Sequence, residues 1–141
     1  MPLISITRLR VRSWIYLPAF FILALRINRQ AAATEGNLAV RLLRDNRNTF
    51  WTATSWSTPA AMKAFIVAKP HGPAMRKLMT WCDEASLVHW DQPGPGLPSW
   101  EEAHQRLEKE GRLSKVHHPS PAHTAHKYPP PASRRQGAPG K

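Results

Sequence analysis

The 141-residue sequence contains one cysteine, Cys82. With a single thiol the chain has no internal disulfide framework, and it fits a reducing compartment. Long apolar runs are also missing. The longest, Trp14 to Leu25, covers 12 residues, whereas a helix needs roughly 20 to cross a bilayer. Acidic residues are absent from residues 1–30 and from residues 112–141. No GxGxxG, P-loop, CxxC pair, HExxH or GxSxG string occurs, so the common nucleotide, zinc and serine-hydrolase signatures give no lead.

A hydrophobic fraction of 42% and six tryptophans supply a compact core, which excludes a wholly disordered chain. The formal charge of +11 is concentrated at the ends: residues 1–30 hold five Arg, residues 112–141 six Lys or Arg, and residues 31–111 balance nine bases with nine acids. This distribution suggests basic arms, not the basic face of a nucleic-acid-binding domain, so nucleic acid is a disfavoured partner.

Arg8, Arg10 and Arg12 precede the apolar run and Ala31-Ala32-Ala33 follows it, the outline of an export signal. Arg26 and Arg29 interrupt that outline, and Leu3-Ile4-Ser5-Ile6-Thr7 has the composition of a strand. The preferred reading is a buried helix in a cytoplasmic protein, with export through an N-terminal signal as the alternative.

The pattern predicts a first strand over Leu3–Val11 and a helix from Pro18 to Ala33 stopped by Gly36. Leu38, Val40 and Leu42 alternate as a second strand. The turn Asp45–Asn48 joins it in a hairpin to a third, Thr49–Trp56. Thr58-Pro59 opens a helix. Pro70 and Pro73 break it at His71-Gly72, and Met75, Leu78, Met79 and Cys82 form the stripe of a further helical stretch. A fourth strand, Ala85–Asp91, ends at Pro93-Gly94-Pro95-Gly96. The capping box Ser99-x-x-Glu102 starts a last helix, which Gly111 caps.

Residues 1–112 thus form one α+β domain of ferredoxin-like, split βαβ order (βαββαβ) with an added C-terminal helix. Residues 113–141 read as a basic Pro/His-rich tail without fixed structure. Helices on one side of the sheet would leave its other face bare, which predicts a homodimer.

Phe50-Trp51-Thr52-x-Thr54-x-Trp56, Ala61-Met62-x-x-Phe65, His71-x-x-Ala74-Met75, Trp81, Trp90 and Pro98-x-Trp100-x-x-Ala103 resemble an uncharacterised family of the dimeric α/β-barrel superfamily. That family lies close to antibiotic-biosynthesis-monooxygenase-like and spheroidene-monooxygenase-like proteins, and the resemblance spans residues 3–118. It implies a homodimer whose sheets close into a barrel, with a pocket between each sheet and its helices. The superfamily includes cofactor-free oxygenases, haem enzymes and proteins without demonstrated catalysis, so the fold leaves function open.

Two histidines are candidate catalytic residues. His71, between two prolines, has the position to ligate haem iron or to act as a general base, or else caps a helix end. His89 alternates with Val88 and Trp90, so it faces away from both and lines a pocket or packs in the dimer. Trp51 and Trp81, with His71, are the candidate cofactor contacts; together with Trp56 and Trp90 they line an aromatic cavity or build the core. The one metal this pattern suggests is haem iron on His71, and a cofactor-free reaction stands beside it. His104 reads as surface-exposed. His117-His118 and His123-x-x-His126 lack a rigid scaffold for metal, and Cys82 reads as a buried, inert thiol. The expected function is monooxygenase-like or haem-binding, acting on an apolar small molecule. The alternatives are a non-catalytic dimeric domain and electrostatic association through the basic ends.

Overall fold

A computed structural model of the protein describes residues 2–68, 71–127 and 129–131, without the side chains of residues 71–73. The strand expected over Leu3–Val11, β1, lies in the sheet between β3 (Thr49–Trp56) and β4 (Cys82–Asp91), antiparallel to both. β2 (Asn37–Asp45) forms a hairpin with β3, and a two-residue strand, β5 (Arg112–Leu113), pairs with β4, giving the order β2-β3-β1-β4-β5. The helices are α1 (Leu17–Ala33), α2 (Pro59–Val67), α3 (His71–Trp81), α4 (Trp100–Glu110) and α5 (Pro121–Ala125). The fold class is therefore α+β, ferredoxin-like.

Local chemistry accounts for the boundaries. Thr58 and Ser99 cap α2 and α4 through their hydroxyls, which accept from the Ala61 and Glu102 amides. Gly36 sits at φ +94°, and a Cβ there would lie 2.5 Å from the Ala61 Cβ, so both conformation and space require glycine. Gly111 caps α4 from extended backbone (φ −75°), not from the left-handed form; a Cβ would lie 2.3 Å from the Leu107 carbonyl oxygen.

Period-2 alternation sorts the strands into two faces. Leu3, Ser5, Thr7, Leu9, Phe50, Thr52, Thr54, Trp56, Leu87 and His89 share one face, and α1, α2 and α3 cover it. Ile4, Ile6, Trp51, Ala53, Val88 and Trp90 share the other, where Trp100, Ala103 and Leu107 of α4 pack on them. The expectation of a bare second face is corrected: α4 returns across the sheet, and Ile4, Ile6 and Trp51 are fully buried within one chain.

Other differences have local causes. His71 opens α3 where a break was expected, because Pro73 falls in the first turn, where its missing N–H costs no helical bond. Cys82 begins β4 instead of extending the helical stripe. Of the residues expected to form an unstructured tail, 113–127 are held by backbone bonds: the Ser114 amide donates to Ala85 O (2.9 Å) and Ser120 to Asp83 O (3.0 Å) on β4, and His117 to Met79 O (2.9 Å) on α3. Backbone bonds to β4 and to the end of α3 hold this segment, so it leaves no hydrophobic period in the sequence.

Candidate functional site

Between the α1–α2–α3 layer and the sheet lies a cavity of about 290 Å³. Phe20, Leu23 and Ile27 of α1, Met62 and Phe65 of α2, and Trp56 of β3 form its apolar wall. The sheet contributes a polar stripe. Thr54, Ser5 and His89 lie side by side across β3, β1 and β4, with Thr52, Thr7 and Leu87 in the row beside them. Arg112 pairs in register with Leu87, and with Ser114 it completes the wall at the β4 edge.

The hydrogen bonding within this stripe is directional. Trp56 Nε1 donates to Thr54 Oγ1 at 2.9 Å. The Thr54 hydroxyl, having accepted there, keeps its own proton to donate. Burial, and secondarily the Arg112 guanidinium, holds the His89 imidazole below its usual pKa, so the ring is neutral at pH 7 and has a lone pair available. Asn28 Oδ1 on α1 is closed off from solvent and makes no hydrogen bond among the described residues.

The opposite face carries a buried ionic cluster. Arg8 pairs with Glu84, Arg10 Nη1 lies 2.7 Å from Asp83 Oδ2, and Ser120 Oγ donates to Glu84 Oε2 at 2.7 Å. Burial raises the Glu84 pKa, but hydrogen bonds from Arg8 and Ser120 and the charges of Arg8 and Arg10 outweigh it, and the carboxyl is held below its usual range. Arg8 is only 2% exposed. The N-terminal arginines are thus partly neutralised inside the sheet and are not all on free arms.

The sequence candidates divide between these regions. His89 and Trp56 line the cavity. Trp51 lies on the opposite face, its ring 6.4 Å from Trp100, and Trp90 shares that face beneath Arg106. Trp81 stacks on Tyr16 at 6.1 Å, away from the cavity wall. The His71 side chain lies outside the described residues. His104 is partly covered, 6.3 Å from the Trp51 ring and 3.7 Å from Glu108. His123 is buried and its Nδ1 accepts from the Ala85 amide. Among the described residues no cluster of three potential metal ligands forms, and no helix is long and apolar enough to cross a membrane. The hydroxyl stripe, Arg112 and Ser114 were not singled out from the sequence. Thr52 and Thr54 had a weak signal in strand 3, whereas Arg112 depends on the edge pairing of β5.

No family model matches the sequence, and neither does any curated protein. Solved structures do match its fold. The cofactor-independent oxygenase SnoaB of Streptomyces nogalater superposes at TM-score 0.56 and 15% identity, over 66% of this chain and 94% of that one. An antibiotic biosynthesis monooxygenase superposes at 0.58 and 14%, over 65% and 99%. Rv0793 of Mycobacterium tuberculosis superposes at 0.60 and 10%, over 67% and 97%. The chain has the ferredoxin-like fold of antibiotic-biosynthesis-monooxygenase-like proteins.

Proposed function

We propose that the protein is a cofactor-free, monooxygenase-like enzyme acting on an apolar small molecule in the cavity between sheet and helices. The observation that carries this reading is an apolar cavity into which a hydroxyl stripe and one neutral histidine converge. The fold shared with SnoaB, a cofactor-independent oxygenase, supports it.

In this reading His89 takes a proton from an activated methylene of the substrate. The resulting anion reduces O₂ by one electron, and the radical pair combines to a peroxide. Loss of the second C–H proton and cleavage of the O–O bond yield a ketone and hydroxide, which takes the proton held on His89. The net change, CH₂ + O₂ → C=O + H₂O, needs no outside reductant. Thr54 and Ser5, beside His89, are placed to donate hydrogen bonds to the oxygen that gains charge.

Size favours the cofactor-free form of the reading over a haem-binding one. A volume of about 290 Å³ falls at the floor of the roughly 300–1,000 Å³ range of small-molecule sites, and Trp51 and Trp81 stand outside the wall.

Oxygen uptake with a panel of anthrones, which carry an activated methylene, in the presence of a metal chelator, tests the reading. The expected result is one O₂ consumed per product and a fall in kcat of about 100-fold or more in His89→Ala, the scale of a lost general base. Binding of these compounds without oxygen uptake overturns it in favour of a non-catalytic binding domain.

The reading includes a homodimer. Support comes from the edge of β2, which no strand among the described residues pairs with and where Leu38 and Leu42 are 46% and 42% exposed, and from Ile22 and Leu25 on α1, both 56% exposed.

A further inference from the structure

We propose that the cavity selects an apolar acid: a ligand whose hydrocarbon body fills the Phe20–Trp56–Phe65 wall and whose anionic group lies at Arg112. The inference rests on the cavity being the ligand site, as the proposed function holds, and it adds the ligand's charge.

Three features of the cavity support it. Among the described residues the lining contains no Asp or Glu, and its one permanent charge is Arg112. A cationic ligand would meet no counter-charge inside and would be repelled at the mouth. An anionic ligand meets a guanidinium with several donors.

Arg112 is also uncommitted. Among the described residues it makes no ion pair, and Glu110, two positions before it in the chain, lies 3.8 Å from Arg106. A surface arginine kept beside an apolar cavity, without a carboxylate, retains its charge for something that arrives there. Its position is set by backbone pairing, because β5 exists only as the two residues that place Arg112 against Leu87.

The neutral polar groups have the matching polarity. Thr54 has its acceptor capacity engaged by Trp56 and its hydroxyl proton free. Ser5, Thr7, Thr52 and Ser114 add hydroxyls on the same wall, all able to donate to an anion. His89 is neutral partly because Arg112 is near. An anion bound between them offsets that influence and lets the ring take up a proton, so binding should couple to proton uptake on the acid side of neutrality.

The test uses two fluorescent probes with one aromatic skeleton: 8-anilinonaphthalene-1-sulfonate, which is anionic, and N-phenyl-1-naphthylamine, which is neutral. Titration into the full chain should show the sulfonate bound about tenfold more tightly than the neutral probe, the scale of one charge-assisted contact. The preference should shrink as salt rises, because the mouth is open to solvent. Arg112→Gln should abolish it and leave the neutral probe's affinity unchanged, and Arg112→Lys should retain part of it. Arg112 is exposed and makes no ion pair among the described residues, so both variants should fold, checked by circular dichroism. Ala24→Phe, which fills the cavity, should displace both probes and so locate them.

Equal affinities in the wild type, or a preference that survives in Arg112→Gln, overturn the acid class while leaving the cavity reading intact. If neither probe binds, or if both bind unchanged in a folded Ala24→Phe variant, the cavity reading itself falls.

Discussion

His89 shows how far one residue's role depends on its neighbours. Burial and Arg112 lower its pKa, so the proposed base is in its working form at neutral pH. Activity is expected to be flat around neutrality and to fall on an acid limb lying below pH 6.5, the ordinary histidine value. Arg112→Gln removes one lowering influence, so the limb should move up toward 6.5; a kcat/KM profile from pH 4.5 to 8.5 checks both statements. The sign for stability is the same. Between its folded pKa and 6.5 the unfolded chain binds more protons at His89, so this residue's protonation favours unfolding as pH falls through that window. Cys82 gives a second residue-scale prediction. Burial first, and the charge of Asp83 second, push its thiol up to about 12. It should resist alkylation by iodoacetamide at pH 8 in the native protein and react only on unfolding, as read by mass spectrometry.

At the level of elements, local signals and packing contribute separately. Ser99→Ala should cost about 1 kcal/mol by removing the α4 cap, measured by urea unfolding. Gly111→Ala should cost more, because its Cβ meets the Leu107 backbone at 2.3 Å, well inside van der Waals contact; a loss of about 1–3 kcal/mol is expected for such overpacking. Glu84→Gln leaves the buried Arg8 without its counter-charge and should cost roughly 3–5 kcal/mol. Because the folded Glu84 pKa is depressed, that contribution is present above the ordinary carboxyl value of 4.5 and disappears as pH falls through the folded pKa. The wild type should therefore lose its advantage over the variant in strong acid. The boundaries of β1, β3, α2 and α4 were legible because their alternation, caps and turn residues are local. The start of α3 was less so: Pro73 permits either a break or a first turn, and packing chose the turn.

For the whole molecule, the segment after Gly111 matters more than its composition suggests. It holds the β4 edge, contributes Ser120 to Glu84 and His123 to Ala85, and places Arg112 and Ser114 on the cavity wall. A chain ending at Gly111 should melt several degrees lower by calorimetry and lose the preference for the anionic probe. The exposed apolar residues on α1 and the β2 edge should bring two copies together, read as twice the monomer mass in sedimentation equilibrium. Leu38→Lys with Leu42→Lys should return the protein to monomers.

Residue order alone determined the α+β class, the strand–helix order, most element boundaries and the burial of Cys82, because periodicity, caps and turns act within a few positions. Tertiary structure decided which face each tryptophan serves. Trp51 and Trp56 lie five residues apart on β3, so alternation turns them to opposite faces, and only the packing of the helices makes one of those faces the α4 side and the other the cavity. It also decided that the basic N-terminal strand finds its acids on β4, 76 residues away in the case of Arg8 and Glu84. The same holds for the placing of Arg112 beside His89. Such pairings depend on the chain's return in space, and nothing in the neighbouring residues records it.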